Sequence, residues 1–154
     1  MLTVEREATM VRLANDQDFD AWLELAKEVE PLFGKMVGSE DFEKGIKGCI
    51  ADASAFCIAN ADHDIEGIVA IHKAGNEISW LAVKEKSRGK GYGYQLLKAA
   101  LNALDPKKPI FVQTFAPNVK AGEAARKLYM QFGFKDHKDG GKNPAGVDTI
   151  IMKL

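Results

Sequence analysis

The segment Arg88-Gly89-Lys90-Gly91-Tyr92-Gly93 sets three glycines on alternate positions and places two cations among them. Glycine lets a backbone turn sharply and lets a ligand approach its N–H groups closely. Upstream, Glu77-Ile-Ser-Trp-Leu-Ala-Val83 carries Ile78, Trp80, Ala82 and Val83, a short apolar run with β-branched and aromatic members, which reads as a buried strand. Downstream, Leu97, Ala100, Leu101 and Leu104 recur at helical spacing. A strand, a glycine turn and a helix in that order aim free N–H groups and the positive end of the helix dipole into the turn. Such a corner suits phosphate.

Three phosphate-binding patterns compete. A P-loop requires Ser or Thr after Gly-Lys, but Gly91 follows Gly89-Lys90, so the magnesium-binding hydroxyl is missing. A dinucleotide fingerprint requires a third glycine where Leu96 stands. That pair disfavours a nucleotide-binding protein. What remains is Arg/Gln-x-x-Gly-x-Gly/Ala, matched by Arg88, Gly91 and Gly93. The plain alternative is a βα turn whose glycines serve geometry alone.

At 154 residues and 46% apolar content, the chain is one domain's worth, residues 1–154, with material for a single core. A formal net charge of -1 supplies no global field for nucleic acid or an anionic membrane. Cys49 and Cys57 have no partner at metal-ligand or redox spacing and read as small hydrophobes, so no metal is expected. No apolar run reaches the length of a membrane span. Glu5, Arg6 and Glu7 precede any apolar run, which argues against a secretory signal and for a cytoplasmic protein.

The elements that would position the turn follow from periodicity. Residues 1 to 7 form a frayed start, and Thr9 to Ala14 a strand. Asn15, Asp16 and Asp18 offer caps for a helix with Phe19, Trp22, Leu23, Ala26 and Val29 on one face. That helix is expected to stop at Pro31, leaving a loop over 31–38. Ser39 caps a second helix bearing Phe42, Ile46, Cys49, Ile50 and Ala53. Strands at Ala55–Ala59, Ile65–His72 and from Glu77 read as an antiparallel meander. The post-glycine helix extends to about Asp105, and a strand follows at Ile110–Phe115. A helix between two strands makes a crossover, so this strand should lie parallel to the Glu77 strand. The last helix spans about Val119 to Phe132, with Gly133 at its C′ position. A strand begins at Phe134, a loop covers 139–146, and Val147–Met152 closes a mixed, mostly antiparallel α/β (α+β) sheet of about six or seven strands flanked by four helices.

The order β-α-α-β-β-β-α-β-α-β-β, the Arg88/Gly91/Gly93 pattern and a second signature resemble the GNAT (Gcn5-related N-acetyltransferase) superfamily over essentially the whole chain. The second signature is Ala125, Tyr129, Gly133 and Phe134, in register with the family's Asn-x-x-Ala-x-x-x-Tyr-x-x-x-Gly-Phe. Gly122 stands where the family has Asn, and Asn118 lies four residues earlier.

The resemblance implies an acetyl-CoA-dependent N-acetyltransferase that acts on a primary amine by direct attack in a ternary complex. The backbone of Arg88, Gly89, Lys90, Gly91, Tyr92 and Gly93 would cradle the pyrophosphate, with charge from Arg88 and Lys90. Lys120 and Lys127 would meet the 3′-phosphate, and Asn118 or Gly122 would lie beside the cofactor. The pantetheine arm would pair with the backbone of Leu81, Ala82 and Val83, where an N–H could serve as oxyanion donor. Deprotonating an alkylammonium near pH 7 costs roughly 4–5 kcal/mol. Glu77, six residues before Val83, matches the glutamate base of the histone-acetyltransferase branch. Tyr129 would assist the departing thiolate. Solvated lysines, a strand-starting glutamate and a core tyrosine are the plain alternatives. Glu28, Glu30, Glu40, Asp41 and Glu43 make the acceptor side acidic, which would favour a cationic amine. A rival reading is a non-catalytic acyl-CoA-binding or sensing module. The acceptor's identity and a homodimer are left open.

Overall fold

The computed structural model describes residues 10–154. The expected frayed start and Thr9 lie outside them. Seven strands form one sheet: β1 (Met10–Leu13), β2 (Ala55–Ala59), β3 (Ile65–His72), β4 (Glu77–Val83), β5 (Phe111–Phe115), β6 (Lys135–Lys142) and β7 (Asp148–Lys153), in the spatial order β1-β2-β3-β4-β5-β7-β6. Four helices flank it: α1 (Phe19–Phe33), α2 (Glu40–Ala51), α3 (Tyr92–Asn102) and α4 (Glu123–Gln131). The element order and the mixed sheet are as the sequence implies. Every neighbouring pair is antiparallel except β4 with β5.

Each face of the sheet has its own core. Trp22, Leu25, Ala26 and Val29 bury one stripe of α1, and with Ile46 of α2 they cover Cys57, Ile68 and Ala70. On the other face Leu96, Leu97 and Ala100 of α3 and Tyr129 of α4 pack on Ile58, Val69, Ile71, Ile78 and Val112. Burial at i, i+3, i+4 and i+7 is the reason these stretches are helices.

Two irregularities shape the middle of the sheet. Ala70 pairs with Trp80 and Ile71 with Ile78, so Ser79 is an extra residue in β4. This bulge reverses the strand's alternation: Ile78 joins the α3/α4 core, whereas Trp80 packs in the α1/α2 core. The parallel pairing of β4 with β5 covers only Glu77 with Phe111 and Ile78 with Val112. Beyond Ile78 the strands part, while β5 keeps its pairing with β7 as far as Phe115.

Four expected boundaries shift. Helix α1 runs through Pro31 to Phe33 and ends at Gly34, whose φ is 105°. Proline removes one helical N–H, but Gly34 N–H still donates to the Glu30 carbonyl at 2.8 Å and closes the extra turn. The Glu30 carboxylate accepts from the N–H groups of Met36 and Val37 at 2.7 and 2.8 Å, which fixes the shortened loop. Strand β6 continues to Lys142 where a loop over 139–146 was expected. Register shifts absorb His137 and Gly140, the Thr149 hydroxyl donates to the Gly141 carbonyl at 2.8 Å, and the Gln113 amide donates to the Gly140 carbonyl at 3.1 Å. Helix α4 starts at Glu123, after a 3₁₀ turn over Lys120–Gly122, and α3 ends at Asn102 rather than near Asp105. The Ser39 cap holds, its hydroxyl accepting from Phe42 N–H at 3.3 Å.

Candidate functional site

A cavity of about 990 Å³ occupies the gap between β4 and β5. Its walls come from both faces. Leu81, Val83, Leu128 and Tyr129 belong to the α3/α4 side, and Phe33 and Trp80 to the α1/α2 side. The opening therefore passes through the sheet where the parallel ladder stops. From Ser79 onward β4 has only β3 as a strand neighbour, so the edge facing the cavity is free to pair with something else.

One end of the cavity is the glycine turn. Arg88, Gly89, Gly91, Tyr92 and Gly93 line it, and Gly91 is the N-cap of α3 with φ 82°. A Cβ at Gly91 would meet nothing within 4 Å. The space beside that backbone is open, and the helix N-terminus faces it, as a phosphate site requires. Arg88 brings a cation to this end, and Lys127 also lines the cavity. The turn is held from behind. Glu66 of β3, 6% exposed, accepts from the Ser87 hydroxyl and from the Asn60 amide at 2.7 Å, and its carbonyl accepts from Lys84 N–H at 2.8 Å. Burial alone would raise the pKa of Glu66. The hydrogen bonds from Ser87 and Asn60, with Lys84 and Lys86 nearby, outweigh it and hold the carboxyl below its usual range. The Glu28 carboxylate accepts from Glu85 N–H at 2.9 Å and ties α1 to the same segment.

Tyr129 lines the cavity, 4% exposed and edge-on to Phe134 with ring centroids 5.7 Å apart. Burial raises its phenol pKa far above the usual value, with no hydrogen bond or charge contributing. The α1/α2 side is aromatic. Phe33 meets Trp80 at 6.3 Å and Phe115 at 5.6 Å, both edge-on, and Trp22 stands behind Trp80 at 5.8 Å. The loop after β6 closes this end: Asn143 donates its amide to the Leu32 carbonyl at 2.8 Å, and Pro144 abuts Gly34.

The structure thus brings together Leu81, Ala82, Val83, Arg88, Gly89, Gly91, Tyr92, Gly93, Lys127 and Tyr129. It leaves the other expected residues outside the cavity wall. Lys90 belongs to the turn but is exposed and does not line the cavity. Gly122 is buried, and a Cβ there would lie 2.4 Å from the Phe115 Cβ, so its smallness serves that contact. Asn118 reaches Asp148 at 3.5 Å, and Lys120 sits in the exposed 3₁₀ turn. Glu77 begins β4 at the end where β4 and β5 still pair, and its carboxylate flanks Gly75 beside His72. Glu28 and Glu30 spend their carboxylates on backbone N–H groups, and Glu40, Asp41 and Glu43 sit in the first turn of α2. Among the described residues no carboxylate, cysteine or histidine lines the cavity. The serine and threonine hydroxyls that do line it have no imidazole beside them. Neither a membrane-spanning helix nor a metal-holding cluster occurs among the described residues. Sequence reasoning missed Glu66, whose one signal is an acid inside an otherwise apolar strand, and it treated Phe33 as loop and Trp80 as part of a buried strand.

Residues 23–154 match the family model described as "Acetyltransferase (GNAT) domain". A search of curated proteins found no match. Among solved structures, the chain is similar to a GNAT-family acetyltransferase from Bacillus cereus ATCC 10987, at 21% identity and TM-score 0.73, covering 95% of this chain and 96% of that one. It is similar to a Salmonella typhimurium protein proposed as an acetyltransferase and solved with acetyl-CoA, at 15% identity and TM-score 0.73, covering 96% and 93%. A mutant spermidine N-acetyltransferase from Vibrio cholerae aligns at 16% identity and TM-score 0.70, covering 96% and 94%. At these identities the likeness to the solved structures is one of fold.

Proposed function

The chain belongs to the acetyltransferase (GNAT) family, and on that premise we propose that it transfers the acetyl group of acetyl-CoA to a primary amine by direct attack in a ternary complex. The observation that carries this reading is that one continuous cavity joins the glycine turn to Tyr129 through the gap between β4 and β5. The residues fit the co-substrate. The open backbone at Gly89 and Gly91, the α3 N-terminus, Arg88 and Lys127 suit its phosphates, and the free edge of β4 over Leu81–Val83 suits a chain of amides. In the reaction the amine nitrogen bonds to the thioester carbonyl carbon and the C–S bond breaks. The amine's proton passes to water, and the sulfur is stabilised by the Tyr129 hydroxyl. A non-catalytic binding module would have no use for a hydroxyl buried beside the donor's path. Thiol release from acetyl-CoA on adding a panel of primary amines tests the proposal. Tight acetyl-CoA binding with no thiol release from any amine would favour the binding module instead.

The placement of Glu77 favours water over that side chain as the proton acceptor. Glu77→Gln is therefore expected to keep kcat within about 3-fold of the parent, with an unchanged pH–rate profile. A deficit of roughly 10²-fold that shrinks as pH rises would give the role back to Glu77.

Glu66 supports the turn without touching the donor. Glu66→Ala should raise KM for acetyl-CoA by about 10-fold with a smaller change in kcat, because it removes an interaction that orders the binding turn. The same variant should turn over acetyl-pantetheine, which lacks the pyrophosphate, at the parental rate. Its folded pKa is lowered, so its contribution to stability is complete above the ordinary glutamate range of about 4.3 and is lost as pH falls through that range and below. The melting-temperature gap between parent and Glu66→Gln should accordingly be largest above about pH 5 and close on acidification.

A further inference from the structure

The acids that were expected to attract a cationic acceptor do not face the cavity. On the α1/α2 side the wall is instead Phe33, Trp80 and Phe115, completed by Val29, Leu32 and Pro144. The charged side chain on this side is Lys142, whose ammonium lies 2.7 Å from Asp148. A polyamine bound here would recover part of its desolvation by cation–π contact with these rings, but among the described residues no carboxylate lines the wall to pair its second cation. An aromatic or branched aliphatic body would bury apolar area and could pack edge-on against the rings.

The same wall bears on the proton. An ammonium enters this cavity from water and meets mostly apolar side chains. Desolvation disfavours the charged form and lowers its pKa. A hydrophobic amine would thus be delivered closer to its neutral, nucleophilic state, and no carboxylate at the cavity is needed to achieve it. The Asn143–Leu32 hydrogen bond and the Gly34–Pro144 contact close this end of the site, which suits a small molecule better than a folded chain.

We infer that the acceptor is a small primary amine carried on an aromatic or branched aliphatic body, seated against Phe33, Trp80 and Phe115. The inference rests on the proposed acetyl transfer. Two readouts test it: calorimetric binding of amines to the protein saturated with CoA, and thiol release from acetyl-CoA. The probes are 2-phenylethylamine, 3-methylbutylamine and spermidine. Both monoamines should exceed spermidine by at least about 10-fold in affinity and in kcat/KM, the scale on which apolar pockets discriminate. Phe33→Ala should cost 2-phenylethylamine roughly 10-fold, and Phe33→Glu should erode or reverse the preference, both with acetyl-CoA affinity unchanged.

The inference is overturned if spermidine matches or beats the monoamines, or if neither Phe33 variant alters the preference. It is also overturned if no amine binds while CoA binds tightly. A further contrary result would be octanoyl-CoA outpacing acetyl-CoA with the Phe33 effect following the acyl chain, which would make the wall an acyl pocket. Failure of CoA and acetyl-CoA to bind at all would instead sink the transferase reading on which the inference stands.

Discussion

Gly91→Val is expected to weaken acetyl-CoA binding by at least about 10²-fold, or roughly 2.7 kcal/mol, while leaving the fold intact. Two separate effects follow from one glycine. At φ 82° any side chain is strained, by about 1–2 kcal/mol, which a domain of ordinary stability survives. The space that a Cβ would enter is empty of protein, so the substitution makes no internal clash. What it fills is the approach to the N–H groups at the start of α3. Gly38 provides the control. It has φ 91°, is equally unobstructed, and lies away from the cavity. Gly38→Val should lower the melting temperature by a similar amount yet bind acetyl-CoA as the parent does. If calorimetry gives the two variants the same affinity, backbone strain explains the glycine and the phosphate cradle is wrong.

The contrast between these glycines shows which parts of the site could be read beforehand. The turn at Arg88–Gly93 was legible because phosphate recognition by backbone depends on local spacing. Tyr129 was legible through its register with Gly133 and Phe134. The parallel relation of β4 and β5 followed from the crossover helix. What could not be read were features decided by two distant segments at once. Pro31 usually marks a helix end, but the Gly34–Glu30 bond and the Glu30 grip on Met36 and Val37 carry α1 one turn further. That extra turn delivers Leu32 and Phe33 to the cavity. The acids on α1 look like an acceptor-facing patch in one dimension, yet Glu28 and Glu30 face backbone N–H groups of the β4–α3 segment and the α1–α2 loop. The Ser79 bulge has no signature in the sequence. It turns Trp80 to the face opposite Ile78, and so decides that the acceptor side is aromatic.

Tyr129→Phe is expected to lower kcat by about 10- to 10³-fold, or roughly 1.4–4 kcal/mol, with acetyl-CoA affinity little changed. The ring is already held by packing against Phe134 and the α3/α4 core, so phenylalanine keeps every apolar contact. The hydroxyl has no hydrogen bond to lose, and removing it from a buried site should leave the melting temperature at or above the parental value. Burial also defines what the hydroxyl does. Its pKa is raised well above that of a free thiol, about 8.5, so a proton on the phenol would not pass completely to a departing thiolate. The group acts as a hydrogen-bond donor whose partner strengthens as charge develops on sulfur. Such an interaction appears in kcat rather than KM. Two pH consequences follow. Activity should show no loss from tyrosine ionisation up to about pH 10, the range in which an exposed phenol would begin to titrate. Because the folded pKa is raised, the stability held by the neutral ring is complete below the unfolded value of about 10 and is lost as pH rises past it. The parent should therefore melt earlier than Tyr129→Phe in strong alkali. Full turnover in Tyr129→Phe, measured where chemistry limits the rate, would leave the tyrosine a packing residue and assign thiolate stabilisation to water.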